Sequence, residues 1–515
     1  MEKETEGRIP TTRIIYHPAM RTICLFLIVF VLNVFSVLAV ERPNIVFIFA
    51  DDHTFSALGS LGHPIVKTPN LDRLADEGTV FTNAYNQGGW HGAICVASRA
   101  MLNTGRFLWH SKNEMDKGFS QPKTPTDIAE RKRYESQFWS RLLHDGGYDT
   151  YFAGKWHVDE RNIGGKHIEC VPVAPLFDHL GVVRPGGMPP TVETSYNRPI
   201  EGMVDAWSPF DPQFQGFWSG GQHWSEVHAD SAVELIGKAT KSDKPFFMYL
   251  AFNAPHDPRQ APKEFVDMYP QEQMDVPPNF IPDNPYKDPM GNQITGRDER
   301  LCPFPRTEYA VRVHRREYYA IISHMDAQIG RIVDALEKSG KRKDTYIIFT
   351  ADNGLAIGAH GLFGKQNMFE HSTKVPLIIA GPGLPKHKRI DAPVYMQDVM
   401  PTTLELAGQD IPPYVQFKSL LPLLRDEEAQ LYDAVYGAFE HAQRMVRCGD
   451  FKLIVYPKAQ TVLLYDVKSD PDEMNNLAGQ PEYGDTVKTL FAELKRLQHE
   501  AGDPLELDEH LVSTR

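Results

Sequence analysis

Only five of the 515 residues are cysteine (Cys24, Cys95, Cys170, Cys302 and Cys448), which excludes a disulfide-stapled scaffold. Cys24 falls in the N-terminal apolar run and Cys95 belongs to a motif described below, so at most one intramolecular disulfide is left. No C-x-x-C or H-E-x-x-H spacing occurs, and the usual signal for zinc is missing with it. Basic residues are outnumbered: the formal net charge is −13, which argues against general binding to nucleic acid or to an anionic membrane surface. A local basic pocket for an anionic substrate is compatible with that balance. Internal repeats and low-complexity tracts are absent. Long apolar runs are absent too, except at 23–40, which follows Arg21 and ends near Val37-Leu38-Ala39. A basic start, a short apolar core and small residues describe a secretory signal peptide. Residues 1–39 are therefore expected to be cleaved after Ala39 by the export machinery, leaving a periplasmic or secreted protein. Met20 offers an alternative start, and an uncleaved anchor is the alternative reading, since the run approaches the ~20 residues that span a bilayer.

The rest of the chain is long enough for a large core and exceeds the usual size of one domain. Short apolar runs alternate with helical patterns, which predicts an α/β fold with a largely parallel sheet sandwiched by helices. Strands are expected at 44–50, 80–85, 150–153, 245–252, 345–350 and 375–380, and helices at 70–76, 229–240, 317–338 and 398–407. The run at 44–50 is too uniformly apolar for a sheet wetted on one face. Segments 158–227 and 259–313, rich in Pro, exceed ordinary connections and are expected to be functional loops or lids. Beyond about residue 412, short strands at 435–439, 445–446, 452–456 and 462–467 and a helix at 486–499 predict a small α+β subdomain. The expected division is a catalytic domain over 40–412 and a C-terminal antiparallel-sheet-plus-helix subdomain over 413–515.

Polar residues gather where the expected strands stop. Asp51-Asp52 follows the first strand and Asp352-Asn353-Gly354 follows the strand at 345–350. In an open α/β sheet, ligands sit outside the carboxyl ends of strands. Either pair alone reads equally well as turn formers. Together, three carboxylates and an amide oxygen form a hard-oxygen set suited to Ca²⁺, with Mg²⁺ the alternative. Gly154-Lys155-Trp156-His157, Asn253-Ala254-Pro255-His256 and Gly364-Lys365 would add two lysines and two histidines to the same crevice. His53, His91, His110 and His360 lie near these motifs, but a single histidine is more often a surface or satisfied core residue. The run Cys-Val-Ala-Ser-Arg-Ala-Met-Leu-Asn-Thr-Gly-Arg, from Cys95 to Arg106, completes the set. A helix beginning near Cys95 would aim free N–H groups and a positive dipole end at that side chain. Arg99, one turn on, would add a fork of fixed donors. This is an anion site built around a nucleophile.

The run resembles the signature of the type I sulfatases of the alkaline phosphatase superfamily, C-x-P/A-x-R with a Thr-Gly-Arg ending, and the overall pattern looks closest to the iduronate-2-sulfatase and choline-sulfatase branch. The resemblance implies an alkaline phosphatase-like fold, and Leu464 to Leu477 resembles part of the family's C-terminal cap. It implies that a maturation enzyme oxidises Cys95 to formylglycine, whose hydrate attacks the sulfur of a sulfate ester. Ala97 replaces the commoner Pro, which leaves open which maturation system acts. The resemblance carries metal ligation onto Asp51, Asp52, Asp352, Asn353 and the modified Cys95, and sulfate binding onto Lys155 and Lys365. It makes His256, alone or with Lys365, the acid for the leaving alcohol, His157 the base that regenerates the aldehyde, and Arg99 the residue that orients the hydrate. The substrate it implies is a sulfated carbohydrate, and a bacterial polysaccharide sulfatase is the expectation. The alternatives are a phosphodiester or phosphonate monoester hydrolase of the same superfamily and a non-catalytic carbohydrate-binding protein that retains the fold. Trp207, Phe214, Phe217, Trp218 and Trp224 either stack on sugar rings or pack their loop down. Arg297, Arg300, Arg306, Arg312, Arg315 and Arg316 either line a subsite for further anionic groups or form solvated surface.

Overall fold

A computed structural model describes residues 42–513 apart from 118–123, 159, 164–165, 170, 185–191, 292–295, 297 and 427. The expected signal peptide, Cys24, Cys170 and Arg297 lie outside the described residues. Strand β1 (Asn44–Ala50) is buried at every position, as its unbroken apolar run requires. With it stand β2 (Thr79–Phe81), β3 (Asp149–Gly154), β4 (His179–Val183), β5 (Phe246–Ala251), β6 (Thr345–Ala351), β7 (Leu377–Ala380) and β8 (Lys388–Ile390). These form one eight-stranded sheet in the order β8-β2-β7-β6-β1-β5-β3-β4. All pairs are parallel except those of β7, which runs antiparallel to β6 and β2. Each large side chain such as Phe47 or Ile48, at 0% exposure, contributes about 1.5–3 kcal/mol by leaving water.

Helices flank this sheet. Helix α1 (Pro69–Asp76), α3 (Trp224–Ala239) and α4 (Glu308–Lys338) form one group, in which α4 packs against both others. Helix α2 (Ile94–Thr104) belongs to a second group with Trp139–Asp145 and Val399–Leu406. The C-terminal strands β9 (Ala434–Phe439), β10 (Gln443–Cys448), β11 (Phe451–Tyr456) and β12 (Thr461–Asp466) pair antiparallel in sequence order, with α5 (Gly484–Ala501) packed on them. Gly88–Gly89, just upstream of α2, adds to β9 as a parallel edge. The C-terminal sheet thereby holds the approach to Cys95.

Three expectations need correction. The strand expected at 80–85 is two, because Ala84–Tyr85 leaves the main sheet for a small separate one. The strand at 375–380 is broken at Pro376, which has no N–H to give a ladder. Helix α4 starts at Glu308, not 317, with the Thr307 side chain accepting the Ala310 N–H as its cap. Its first turns bury His314 and Glu317, so an apolar stripe alone does not mark them. No helix among the described residues is long and apolar enough to cross a membrane.

Candidate active site

Strands β6, β1, β5 and β3 are neighbours, and their carboxyl ends share one edge. The segments leaving them are tied together by backbone bonds. The Asp51 N–H donates to the Ala254 carbonyl (3.0 Å), that of Lys155 to Ala251 (2.9 Å) and that of Asp352 to Ala50 (3.3 Å). Gly154 turns the chain with φ +104°, and a Cβ there would sit 1.8 Å from the Ala251 carbonyl oxygen. Only glycine lets Lys155 come this close. Asp52 itself adopts φ +67°, in the left-handed region that costs most residues energy.

Cys95 lies in the first turn of α2 and is 2% exposed. Its Sγ marks where the side-chain oxygen of an oxidised residue would begin; it stands 3.4 Å from His157 Nδ1 and 3.8 Å from Lys155 Nζ. Arg99, fully buried, donates from Nε to Asp352 Oδ2 (3.0 Å), sets a second nitrogen 2.9 Å from the same oxygen, and donates from Nη1 to the Lys155 carbonyl (2.9 Å). The downstream half of the motif serves differently. Gly105, at φ +68°, ends α2, and Arg106 donates to Gln137 (2.8 Å) over the Tyr414 ring.

Each of three carboxylates faces a basic side chain. Lys155 Nζ donates to Asp51 Oδ2, Lys365 Nζ donates to both oxygens of Asp52 (2.7 and 2.8 Å), and Arg99 holds Asp352. Asn353 Nδ2 donates to Asp52 Oδ1 (2.7 Å). His256 sets Nε2 3.5 Å from Asp52 Oδ2 and Nδ1 3.0 Å from Asp257 Oδ1. Burial opposes ionisation of Asp51, but the charges of Lys155, His256 and Arg99 hold its carboxyl well below the usual range. Asp352 goes the other way: burial and the Asp51 charge push it up to about 8 despite Arg99. Burial disfavours protonated His256, yet Asp257 and Asp52 raise its pKa above the ordinary histidine value. The same opposition, won by Asp52, lifts Lys365.

A divalent cation fits this donor set. Asp51 Oδ1 and Asn353 Oδ1 are buried and accept no hydrogen bond among the described residues. Donor atoms of Asp51, Cys95 and Asp352 all lie within 4.8 Å of one another, as do those of Asp51, Asp52 and His256. Oxygen donors of this kind suit a hard cation. A divalent cation held by these oxygens would add positive charge where an anionic substrate needs it.

The sequence-derived residues Asp51, Asp52, Cys95, Arg99, Lys155, His157, His256, Asp352, Asn353 and Lys365 thus meet in one place. Sequence reasoning missed Tyr318 on α4, whose hydroxyl donates to the Asp52 carbonyl (2.7 Å) and accepts the Thr54 N–H (2.9 Å). It missed Ser98, whose hydroxyl donates to the Asp352 carbonyl (2.8 Å), and Asp257 as the partner of His256. Histidines 53 and 360 are buried and pushed down to about 4, the first by burial, the second by burial and then Lys452. His91 Nδ1 accepts the Ala93 N–H, and His110 pairs with Gln416. Trp207 and Phe217 are buried and pack their loop down, Phe217 stacking on His223, while Trp224 is buried in the first turn of α3. Arg300, Arg306, Arg312 and Arg315 are paired with Glu193, Glu299, Glu308 and Asp275. Arg316 donates to the Val266 carbonyl.

The model of the sulfatase family matches residues 43–409, and that of the C-terminal part of N-sulphoglucosamine sulphohydrolase matches 358–500. An N-acetylglucosamine-6-O-sulfatase of Bacteroides thetaiotaomicron is 27% identical, over 90% of this chain and 87% of its own. A solved structure in complex with its substrate, D-glucosamine-2-N,6-O-disulfate, is 26% identical with a TM-score of 0.65, covering 90% of this chain and 99% of its own. A phosphonate monoester hydrolase of Agrobacterium radiobacter, 22% identical over 89% of this chain and 96% of its own, shares the fold with a TM-score of 0.67.

Proposed function

The chain belongs to the sulfatase family and is a hydrolase of sulfuric esters; we propose that it removes sulfate from a sulfated carbohydrate, using Cys95 matured to formylglycine and a bound Ca²⁺. The observation that carries this reading is the meeting, at one sheet edge, of the oxidisable Cys95 with Asp51, Asp352 and His157. Carbohydrate as the substrate class is supported by the glucosamine sulfates handled by the similar proteins. The apolar run at 23–40 supports export, and Cys95 in its signature supports a dedicated maturation enzyme as partner.

Asp51, Asp52, Asp352, Asn353 and residue 95 would hold the cation, which supplies charge neutralisation at the sulfate oxygens. The matured residue 95 supplies, as its hydrate, the oxygen nucleophile. Lys155, beside Asp51, and Lys365, beside Asp52, bind the remaining sulfate oxygens. Arg99 fixes Asp352 and, through the Lys155 carbonyl, the turn that carries Lys155. His256, whose pKa Asp257 and Asp52 raise against the effect of burial, gives its proton to the departing alcohol. His157, 3.4 Å from Cys95 Sγ, takes a proton from the side chain at 95 so that sulfate can leave.

The test is release of inorganic sulfate by the purified exported protein from sulfated mono- and polysaccharides, alongside a phosphodiester and a phosphonate monoester. Sulfate release lost in the Cys95→Ala variant supports the reading. Faster turnover of the phosphorus esters would overturn it.

A further inference from the structure

Among the described residues, four of the buried arginines are matched by a carboxylate, and Arg259, beside the active site, is not. Arg99 meets Asp352, Arg198 meets Glu317 and Asp205, Arg306 meets Glu299, and Arg444 meets Asp503. Arg106 faces the carbonyl end of α2 and the Tyr414 ring. Arg259 is 3% exposed, yet no carboxylate among the described residues pairs with it. Its Nη1 donates to His314 Nδ1 (3.2 Å), a ring whose Nε2–H donates to the Arg198 carbonyl (2.8 Å). Its Nε and Nη2 are buried and have no hydrogen-bond partner among the described residues. Those two nitrogens form one edge of the guanidinium, the edge that grips a carboxylate or sulfate with two parallel bonds. An unmatched buried cation is costly to keep, so a site that keeps one is built for an anion that comes and goes.

The position says which anion. Arg259 follows His256 by three residues and lies against α4. The His314 ring it touches stands 4.9 Å edge-on from Phe363, two residues before Lys365. The Arg259 charge also acts on Tyr318, whose hydroxyl holds the Asp52 carbonyl. It therefore sits on the His256 side of the centre, where the proposed function puts the alcohol part of the ester. Its low exposure is no bar, since Asp52, His256 and Lys365 are themselves 1%, 1% and 2% exposed.

We propose that Arg259 is a specificity residue that binds, through Nε and Nη2, a second anionic substituent of the same sugar or its neighbour, a carboxylate or another sulfate. This rests on the reading of the protein as a carbohydrate sulfatase. The test compares wild type, Arg259→Gln and Arg259→Lys on three sugars with the same scissile sulfate: one with no other charge, one with a second sulfate, one with a carboxylate. In the Gln variant the ratio of KM for a doubly anionic sugar to KM for the singly anionic one rises at least tenfold. The Lys variant lies between, since an ammonium has charge but no two-donor edge. Whichever doubly anionic sugar shows the rise identifies the group bound. The Gln variant also melts at or above wild type, because an unmatched buried charge has been removed; a purely structural arginine would lower it. An active wild type with an unchanged KM ratio in Arg259→Gln overturns this inference alone, as does a lowered melting temperature with parallel loss on all three sugars. A wild type that frees sulfate from none of them overturns the underlying reading as well.

Discussion

Replacing Tyr318 by Phe removes one oxygen and tests how the left-handed Asp52 is held. The hydroxyl satisfies the Asp52 carbonyl at 2.7 Å and the Thr54 N–H at 2.9 Å. Each buried polar group orphaned costs about 1–3 kcal/mol, so the two together cost roughly 2–4 kcal/mol after local relaxation. A chain of this size unfolds with an entropy of ~1 kcal/mol/K, which converts the loss into a Tm drop of ~2–4 °C. The second effect concerns the cation. A non-glycine residue held left-handed costs about 1–2 kcal/mol, and once the clamp is gone Asp52 relaxes unless the cation restores it. At 1.4 kcal/mol per factor of ten, Ca²⁺ affinity falls about 5–30-fold. The assay is a Ca²⁺ titration of chelator-stripped protein, followed by thermal unfolding and by competition with a lanthanide probe. Tyr319→Phe is the control, because its hydroxyl donates to Asp275 (2.9 Å) and touches His63, away from Asp52. Ca²⁺ affinity within twofold of wild type in Tyr318→Phe would refute the clamp, whatever happens to Tm.

Cys95→Ala is expected to abolish turnover, while Cys95→Ser, with one hydroxyl in place of two, should accumulate a protein heavier by one sulfate in intact-mass spectra; full activity in the Ala variant sinks the assignment. His157→Ala and His256→Ala should each cost about 10²–10⁴-fold and remove opposite limbs of the pH–rate profile, the acidic limb for the base and the alkaline limb for the acid. Finding the limbs exchanged would reverse the two roles. The Asp503 side chain is shielded from solvent, but Arg444 holds its carboxyl below the usual value, so it stabilises the fold above the ordinary Asp pKa and that contribution is lost as pH falls below about 4. Asp503→Asn should cost about 3–5 kcal/mol at pH 7, by stranding Arg444, and progressively less below pH 4; an equal penalty at pH 3 would contradict this.

What the chain announces locally was legible. Residues 44–50 and 345–350 are apolar enough to mark buried strands, so the acidic residues that follow them could be set at one sheet edge before any coordinates. The motif from Cys95 to Arg106 marked the start of α2 near Cys95. What stayed hidden depends on pairings across the fold. Tyr318 reaches Asp52 from 266 residues away, and nothing in the pattern of α4 distinguishes it from Tyr319. The arginines between 300 and 316 drew attention as a group, yet Asp275 and Glu299 neutralise two of them through contacts no spacing reveals. Arg259, in the stretch after His256, passed unnoticed because an unmatched charge is defined by what fails to surround it.

The three basic partners of the acidic cluster differ in chemistry, and the difference has a consequence for mutagenesis. Arg99 is a rigid fork that engages Asp352 and the Lys155 carbonyl at once, so it is a permanent part of the frame. Lys155 and Lys365 are point charges on flexible stems, and the carboxylate oxygens they hold are among those a cation would need. They must be able to yield those oxygens and turn to the sulfate. An arginine at 365 would grip Asp52 with two parallel bonds and would not let go as readily. Lys365→Arg is therefore expected to be as damaging as Lys365→Ala, with KM for the sulfate ester raised at least tenfold in both, even though only the Ala variant loses charge. Lys365→Arg keeping more than half of wild-type kcat/KM would show that charge alone suffices, and that these lysines do not exchange partners.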